Sequence, residues 1–168
     1  MPYWSIDYGT MSKIAPPLPH AAGTGRAFAI VASQFNGRYV QGLIDHAIKE
    51  LRILAPASAI SLHRVSGAFE IPVVVRELAI QKNAHAIVAI GVILQGKTSH
   101  AKNLARSVTN ALQHIALDHG VPVVHAVLSL DNETQAAERC LKEKINRGTE
   151  AARAAVQIAN VIAELRGK

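Results

Sequence analysis

One short segment, Gly91-Val92-Ile93-Leu94-Gln95-Gly96-Lys97-Thr98-Ser99-His100, carries the residue types best suited to chemistry on a small anionic substrate. It leaves an apolar run and opens a stretch of helical spacing. Gly96 allows a tight backbone path, and amides at a helix start suit a phosphate group. Lys97 adds a cation and Thr98 a hydroxyl. The reading is a strand leading into a phosphate-holding turn rather than a nucleotide-binding Walker loop. An ordinary turn capped by Thr98 or Ser99 would show the same residue types. His100 falls in the first turn of the following helix, where the helix dipole favours a neutral imidazole able to accept a proton. The other seven histidines have no such setting.

Two further groups have the right chemistry. Phe35-Asn36 follows the first apolar run; an exposed ring there can stack on a planar heterocycle, and the amide supplies a donor and an acceptor. A hydrophobic staple on the next helix would use Phe35 equally well. Glu70, after Gly67-Ala68-Phe69, can bind sugar hydroxyls or simply favour a helix start. His46 and Glu50 lie one helical turn apart, but with no third ligand they do not spell a metal site. Gly-x-Ser-x-Gly and His-Glu-x-x-His are both absent. The expectation is an enzyme with neither metal nor cofactor.

These residues must be positioned by a fold, and the pattern of apolar residues supplies one. Ala27 to Ala32 and Ala86 to Val92 are continuous apolar runs, as buried parallel strands require. Further strands are predicted near Ala59–Val65 and Val121–Leu128. Between them Val40, Leu43, Ile44, Ala47, Ile48 and Leu51 recur at helical spacing, as do Leu104, Val108, Leu112 and Ile115. A helix is predicted from Pro72 to Gln81. Helix continues to Leu165 after the last strand, with a break near Asn146-Arg147-Gly148. Strands alternating with helices give a single-domain α/β open sheet, mostly parallel, with helices on both faces. Ligands bind such sheets at the carboxyl ends of the strands, which gathers the loops at Ser33, Ser66, Gln95 and Ser129 along one edge.

Composition narrows the class. The chain has 168 residues, enough for one domain with a real core, and 49% of them are hydrophobic. The net charge of +6 is scattered rather than striped, apart from Arg139, Lys142, Lys144 and Arg147, which argues against nucleic acid and suits small anions. No apolar run reaches the length of a membrane span, so no membrane partner is expected. Cys140 stands alone, in keeping with a reducing, cytoplasmic setting. Residues 1–25 hold Pro2, Pro16, Pro17 and Pro19 and read as an extended arm, either loose or packed on a neighbour. Residues 26–168 form the domain.

The blocks Phe35-Asn36, Gly67-Ala68-Phe69-Glu70-Ile71-Pro72, Gly91 to His100, Gln135-Ala136-Ala137-Glu138-Arg139 and Asn146-Arg147-Gly148 stand in one collinear order. In that order the chain resembles the lumazine synthase (6,7-dimethyl-8-ribityllumazine synthase) family of riboflavin biosynthesis, from about Ala27 to Leu165. The resemblance implies a flavodoxin-like fold and condensation of 5-amino-6-(D-ribitylamino)uracil with 3,4-dihydroxy-2-butanone 4-phosphate. It implies that Phe35 and Asn36 meet the pyrimidine, that Ala68, Phe69 and Glu70 hold the ribityl chain, and that Val92, Ile93 and Leu94 line the heterocycle. Lys97, Thr98 and Arg139 would take the phosphate, Arg139 from an adjacent subunit, while His100 moves protons. It also implies a homo-oligomer, a pentamer or an assembly of pentamers, with sites between subunits. A stripe of Ala151, Ala155, Ile158, Ile162 and Leu165 suits either subunit packing or the chain's own sheet. The resemblance also puts His125 at the pyrimidine edge, a position often Phe in relatives, and the chain departs further from the family pattern at Gln95 and Lys97, at Ala101-Lys102-Asn103-Leu104, and at Leu141 and Ile145 in place of glycines. A lumazine- or flavin-binding protein without turnover, or a cage subunit, would use the same scaffold.

Overall fold

The computed structural model of the protein describes residues 18–20 and 25–167, so most of the predicted arm, 1–25, lies outside the described residues. Four strands, β1 (Ala27–Ser33), β2 (Ala59–Val65), β3 (Ala86–Leu94) and β4 (Val123–Leu130), form one parallel sheet in the order β2-β1-β3-β4. Five helices connect and cover it: α1 (Gly37–Leu54), α2 (Ile71–Gln81), α3 (His100–His119), α4 (Glu133–Cys140) and α5 (Arg147–Leu165). A 3₁₀ turn, Ala68–Glu70, precedes α2. This is the predicted α/β open sheet.

The two central strands are apolar but for Ser33 at the end of β1, because both faces are covered. Phe28, Ile30, Ala32, Val88, Ile90 and Val92 point into a core shared with α1, α4 and α5. Their neighbours Ala29, Val31, Ile87, Ala89 and Ile93 point into a second core under α2 and α3. The period-2 alternation thus divides one apolar run between two cores. Among the described residues β2 is an edge strand, and none of its residues is fully buried.

Small residues bring α5 close to α1. Ala152, Ala155, Val156 and Ala159 are buried, and Glu50 on α1 accepts from Arg153 Nε on α5 at 2.7 Å. Of the stripe predicted on α5, Ala151 and Ala155 serve the chain's own core, Ile158 and Ile162 are half-buried, and Leu165 is exposed. The buried stripe instead follows Ala151, Ala152, Ala155, Val156, Ala159 and Ala163. No helix among the described residues is long and apolar enough to cross a membrane.

Candidate active site

The strand order reverses between β1 and β3, and in such sheets the carboxyl ends at that point form the crevice where ligands usually bind. β1 pairs with β3 only from Phe28↔Ala86 to Ala32↔Ile90, while β3 continues to Leu94 beside β4. Past Ile90 the edge of β3 that faces β1 has no strand partner among the described residues. One of its carbonyls, that of Val92, accepts from Asn36 Nδ2 at 2.7 Å. Asn36 takes a left-handed conformation (φ 56°) to end the β1 loop, a region Asn tolerates better than most residues. Because Asn36 itself turns the chain, α1 starts at Gly37, three residues ahead of the periodic Val40.

The loop after β2 joins this rim. The amides of Gln34 and Phe35 both donate to the Ser66 carbonyl at 3.2 Å. Of three phenylalanines, Phe28 is buried in the core, whereas Phe35 is 71% and Phe69 65% exposed. Two aromatic rings therefore stand free at one edge, and the staple reading of Phe35 does not hold. Ala68 is buried beneath them. The Glu70 carboxylate folds back to accept from Gly67 N at 2.9 Å and Ser66 Oγ at 3.3 Å, so within one chain it caps its own turn. Gly67 makes room: a Cβ there would lie 2.9 Å from Glu70 Oε2 and 3.7 Å from Phe35 Cδ2.

The third piece is the turn into α3. The Gln95 amide donates to Leu130 O at 2.8 Å and its side chain bonds Ser129 Oγ, tying β3 to the end of β4. Beyond Gln95 the backbone is held less. Gly96, Lys97, Thr98, Ser99 and His100 are all exposed. Ser99 occupies the N-cap of α3 but its side chain makes no capping hydrogen bond, so the capped-turn reading is not met there. Gly91-x4-Gly96-Lys97-Thr98 has the spacing of a Walker loop. The structure excludes one, because Gly91 to Leu94 remain in β3, paired to Val127 through Leu130. Gly91 is needed for packing: a Cβ would lie 3.2 Å from both Ser33 Oγ and Val127 Cγ1. Val92 and Ile93 are buried and Leu94 half-buried, each on the β3 segment that walls the crevice.

Two predicted residues are not brought to this rim. Arg139 is on α4, which packs with α1 and α5 on one face of the sheet, whereas Lys97, Thr98 and His100 begin α3 on the other. His125 pairs with Ala89, three residues short of Val92, so it lies about 10 Å down the strand from the end of the crevice. Its position is the free outer edge of β4, between open cavities of 300 and 390 Å³. There its Nε2 meets Thr109 Oγ1 at 2.8 Å. Partial loss of solvent holds the His125 imidazole below its ordinary pKa, opposed by a smaller contribution from a hydrogen bond with its own backbone.

Sequence reasoning did not single out Arg147 beside His125. It starts α5, where a cation opposes the helix dipole, and it is held by an ion pair with Glu150. Both line the 390 Å³ cavity beside His125. A basic residue at a helix start was the available signal. The neighbouring Asn146 and Gly148 are structural. Asn146, 2% exposed, accepts from Gly148 N at 2.8 Å and donates to the Cys140 and Lys142 carbonyls at 2.8 and 3.2 Å.

Residues 25–163 match the family model of 6,7-dimethyl-8-ribityllumazine synthase. The chain is 37% identical over 142 residues to the 6,7-dimethyl-8-ribityllumazine synthase of Nitratidesulfovibrio vulgaris (strain DSM 19637 / Miyazaki F), covering 84% of this chain and 91% of that protein. It is equally 37% identical over 138 residues to the enzyme of the same name from Chlorobium phaeobacteroides (strain DSM 266 / SMG 266 / 2430), covering 82% and 89%. The match spans the crevice, both aromatic rings, the turn into α3 and the Asn146 cap together, and the chain belongs to the 6,7-dimethyl-8-ribityllumazine synthase family of transferases.

Proposed function

We propose that this protein acts in riboflavin biosynthesis, in the cytoplasm, condensing 5-amino-6-(D-ribitylamino)uracil with 3,4-dihydroxy-2-butanone 4-phosphate to 6,7-dimethyl-8-ribityllumazine and releasing phosphate. The observation that carries this reading is the clustering of Phe35, Phe69 and the unpaired β3 segment at one crevice, beside the exposed Lys97-Thr98-His100 turn. Phe35 stacks on the pyrimidine, with Asn36 beside it, and Val92, Ile93 and Leu94 line the heterocycle through their backbone. Ala68, Phe69 and Glu70 hold the ribityl chain; Glu70 gives up one internal contact to do so. Lys97, Thr98 and the uncapped start of α3 take the phosphate. His100 moves protons as the imine forms, phosphate leaves and the ring closes. The substrates bring their own reactivity, so orientation and proton transfer suffice without a cofactor.

Arg139 and His125 complete the site only from a second subunit. Within one chain the sheet separates Arg139 from the α3 turn, and His125 faces outward on an open edge. A ring of five subunits, alone or paired, brings that edge to a neighbour's crevice. The test is to mix the purified protein with both substrates and follow lumazine fluorescence while measuring its mass by light scattering. Turnover by an oligomer of at least five is expected. Tight lumazine or flavin binding without turnover would favour a binding protein on this scaffold, and an active monomer would end the shared-site reading.

A further inference from the structure

The end of the sheet opposite the crevice also holds a cavity, of 250 Å³, at the amino ends of the strands. Its wall includes Arg26, Lys82, His85, His119 and Arg166, and among the described residues no carboxylate lines it. Part of this charge has a local reason. α2, α3 and α5 all end here, at Lys82, Gly120 and Arg166, and helix carboxyl ends favour cations. Arg166 Nη2 satisfies one such end by donating to Gly120 O at 3.0 Å.

Arg26 has no such reason. It belongs to no helix and directly precedes β1. Its Nε is buried and has no hydrogen-bond partner among the described residues. A guanidinium N–H withdrawn from water without an acceptor is costly, and more so beside other cations. His85 Nδ1 accepts from Ala27 N at 3.0 Å, which ties the ring to the start of β1. Arg26, Lys82 and Arg166 thus bring positive charge to the wall, and none of its described lining residues is acidic.

We infer that this cavity is a second anion site, taking a small phosphate-type dianion between Arg26, Lys82 and Arg166, separate from the crevice at the other end of the sheet. Arginine forks match phosphate oxygens two at a time, and lysine adds an adjustable point charge. The space suits one or two phosphate groups; anything attached to them would extend into solvent through the open side. Free phosphate and the terminal group of a larger phosphate ester share this chemistry.

The test uses the full chain carrying Lys97→Ala and Arg139→Ala, so that the charged phosphate contacts at the other end are gone. Calorimetric titration at constant ionic strength with inorganic phosphate should still give one equivalent per chain. Arg26→Gln in that background should weaken it at least tenfold, and Arg166→Gln should weaken it too. Phosphate should raise the unfolding temperature of the background protein and not that of its Arg26→Gln derivative, since a ligand stabilises only what it binds. Pyrophosphate and adenosine diphosphate form the other arms: tighter binding of the nucleotide identifies a group borne on a larger molecule, and equal or weaker binding identifies the free anion. If Arg26→Gln does not fold, Arg166→Gln and Lys82→Gln carry the same titration. No saturable phosphate binding in the background protein, or undiminished affinity in the folded variants, overturns the site.

Discussion

Gly148 and Gly96 stand out equally in the sequence, each inside a block shared with the family, and they are glycines for opposite reasons. A Cβ on Gly148 would lie 2.1 Å from the Leu43 carbonyl oxygen and 2.9 Å from its carbon. A Cβ on Gly96 would meet nothing within 4 Å, and its φ is not positive. The first glycine is demanded by the chain's own packing, where α5 starts against α1. The second is demanded by no contact among the described residues, which leaves open space at the turn. Around Gly148 the polar groups are tied down by Asn146; around Gly96 they are exposed and uncapped. One block builds the fold, and the other is left available for chemistry.

Gly148→Ala should have the largest effect. The obstructing atom is a helix backbone carbonyl, which cannot move without parting α1 from α5. A loss of about 3 kcal/mol or more is expected, the upper range for overpacking. The urea midpoint reads it directly, and an unchanged midpoint would mean that the two helices have room the structure does not give them.

His100→Ala addresses the other half of the contrast. The side chain is exposed, so folding should be unaffected. Turnover should fall about 100-fold, the low end for losing a general acid–base, because the two substrates already react with one another. Binding of the pyrimidine should barely change. A full turnover number would remove His100 from the proton transfers.

Sequence patterning made the sheet and its helices legible because apolar periodicity depends only on which residues are buried. It also collected Phe35, Asn36, the Phe69 loop and the α3 turn at one edge, since parallel sheets place their loops by rule. It failed where tertiary geometry chooses between equal residue types. Ser99 looks like a cap and makes no cap bond. His125 carries suitable chemistry, but no one-dimensional pattern tells which point along a strand it occupies.

Gly96→Ala sharpens the comparison by reversing the first prediction. Stability should stay within about 0.5 kcal/mol, as for surface changes away from special features. The Michaelis constant for the phosphate-bearing substrate should rise several-fold while that for the pyrimidine holds. Equal change in both would show that the added methyl disturbs the whole turn rather than its phosphate end, and no change would leave the open space without a ligand.

His125 gives the smallest effect, and one that distinguishes a fold contribution from a site contribution at the β4 edge. Partial burial lowers its pKa in the folded protein below the ordinary value of about 6.5. Above that value the imidazole is neutral whether the chain is folded or not, and it costs nothing. As pH falls below it, the unfolded chain takes up the proton first, so stability declines until the folded-state pKa is passed. His125→Gln cannot titrate but can still reach Thr109 Oγ1. Its unfolding temperature should therefore drop less than that of the unsubstituted protein between pH 7.5 and pH 5, about the ordinary value on either side. Other histidines and carboxylates titrate in both proteins and cancel from the difference. Parallel curves would mean that the folded protein leaves the His125 ring as free to protonate as the unfolded chain does. Activity should follow a different course. If His125 meets the pyrimidine from a neighbouring subunit, His125→Phe keeps a stacking surface and the turnover, whereas His125→Gln loses that surface and a small part of the turnover.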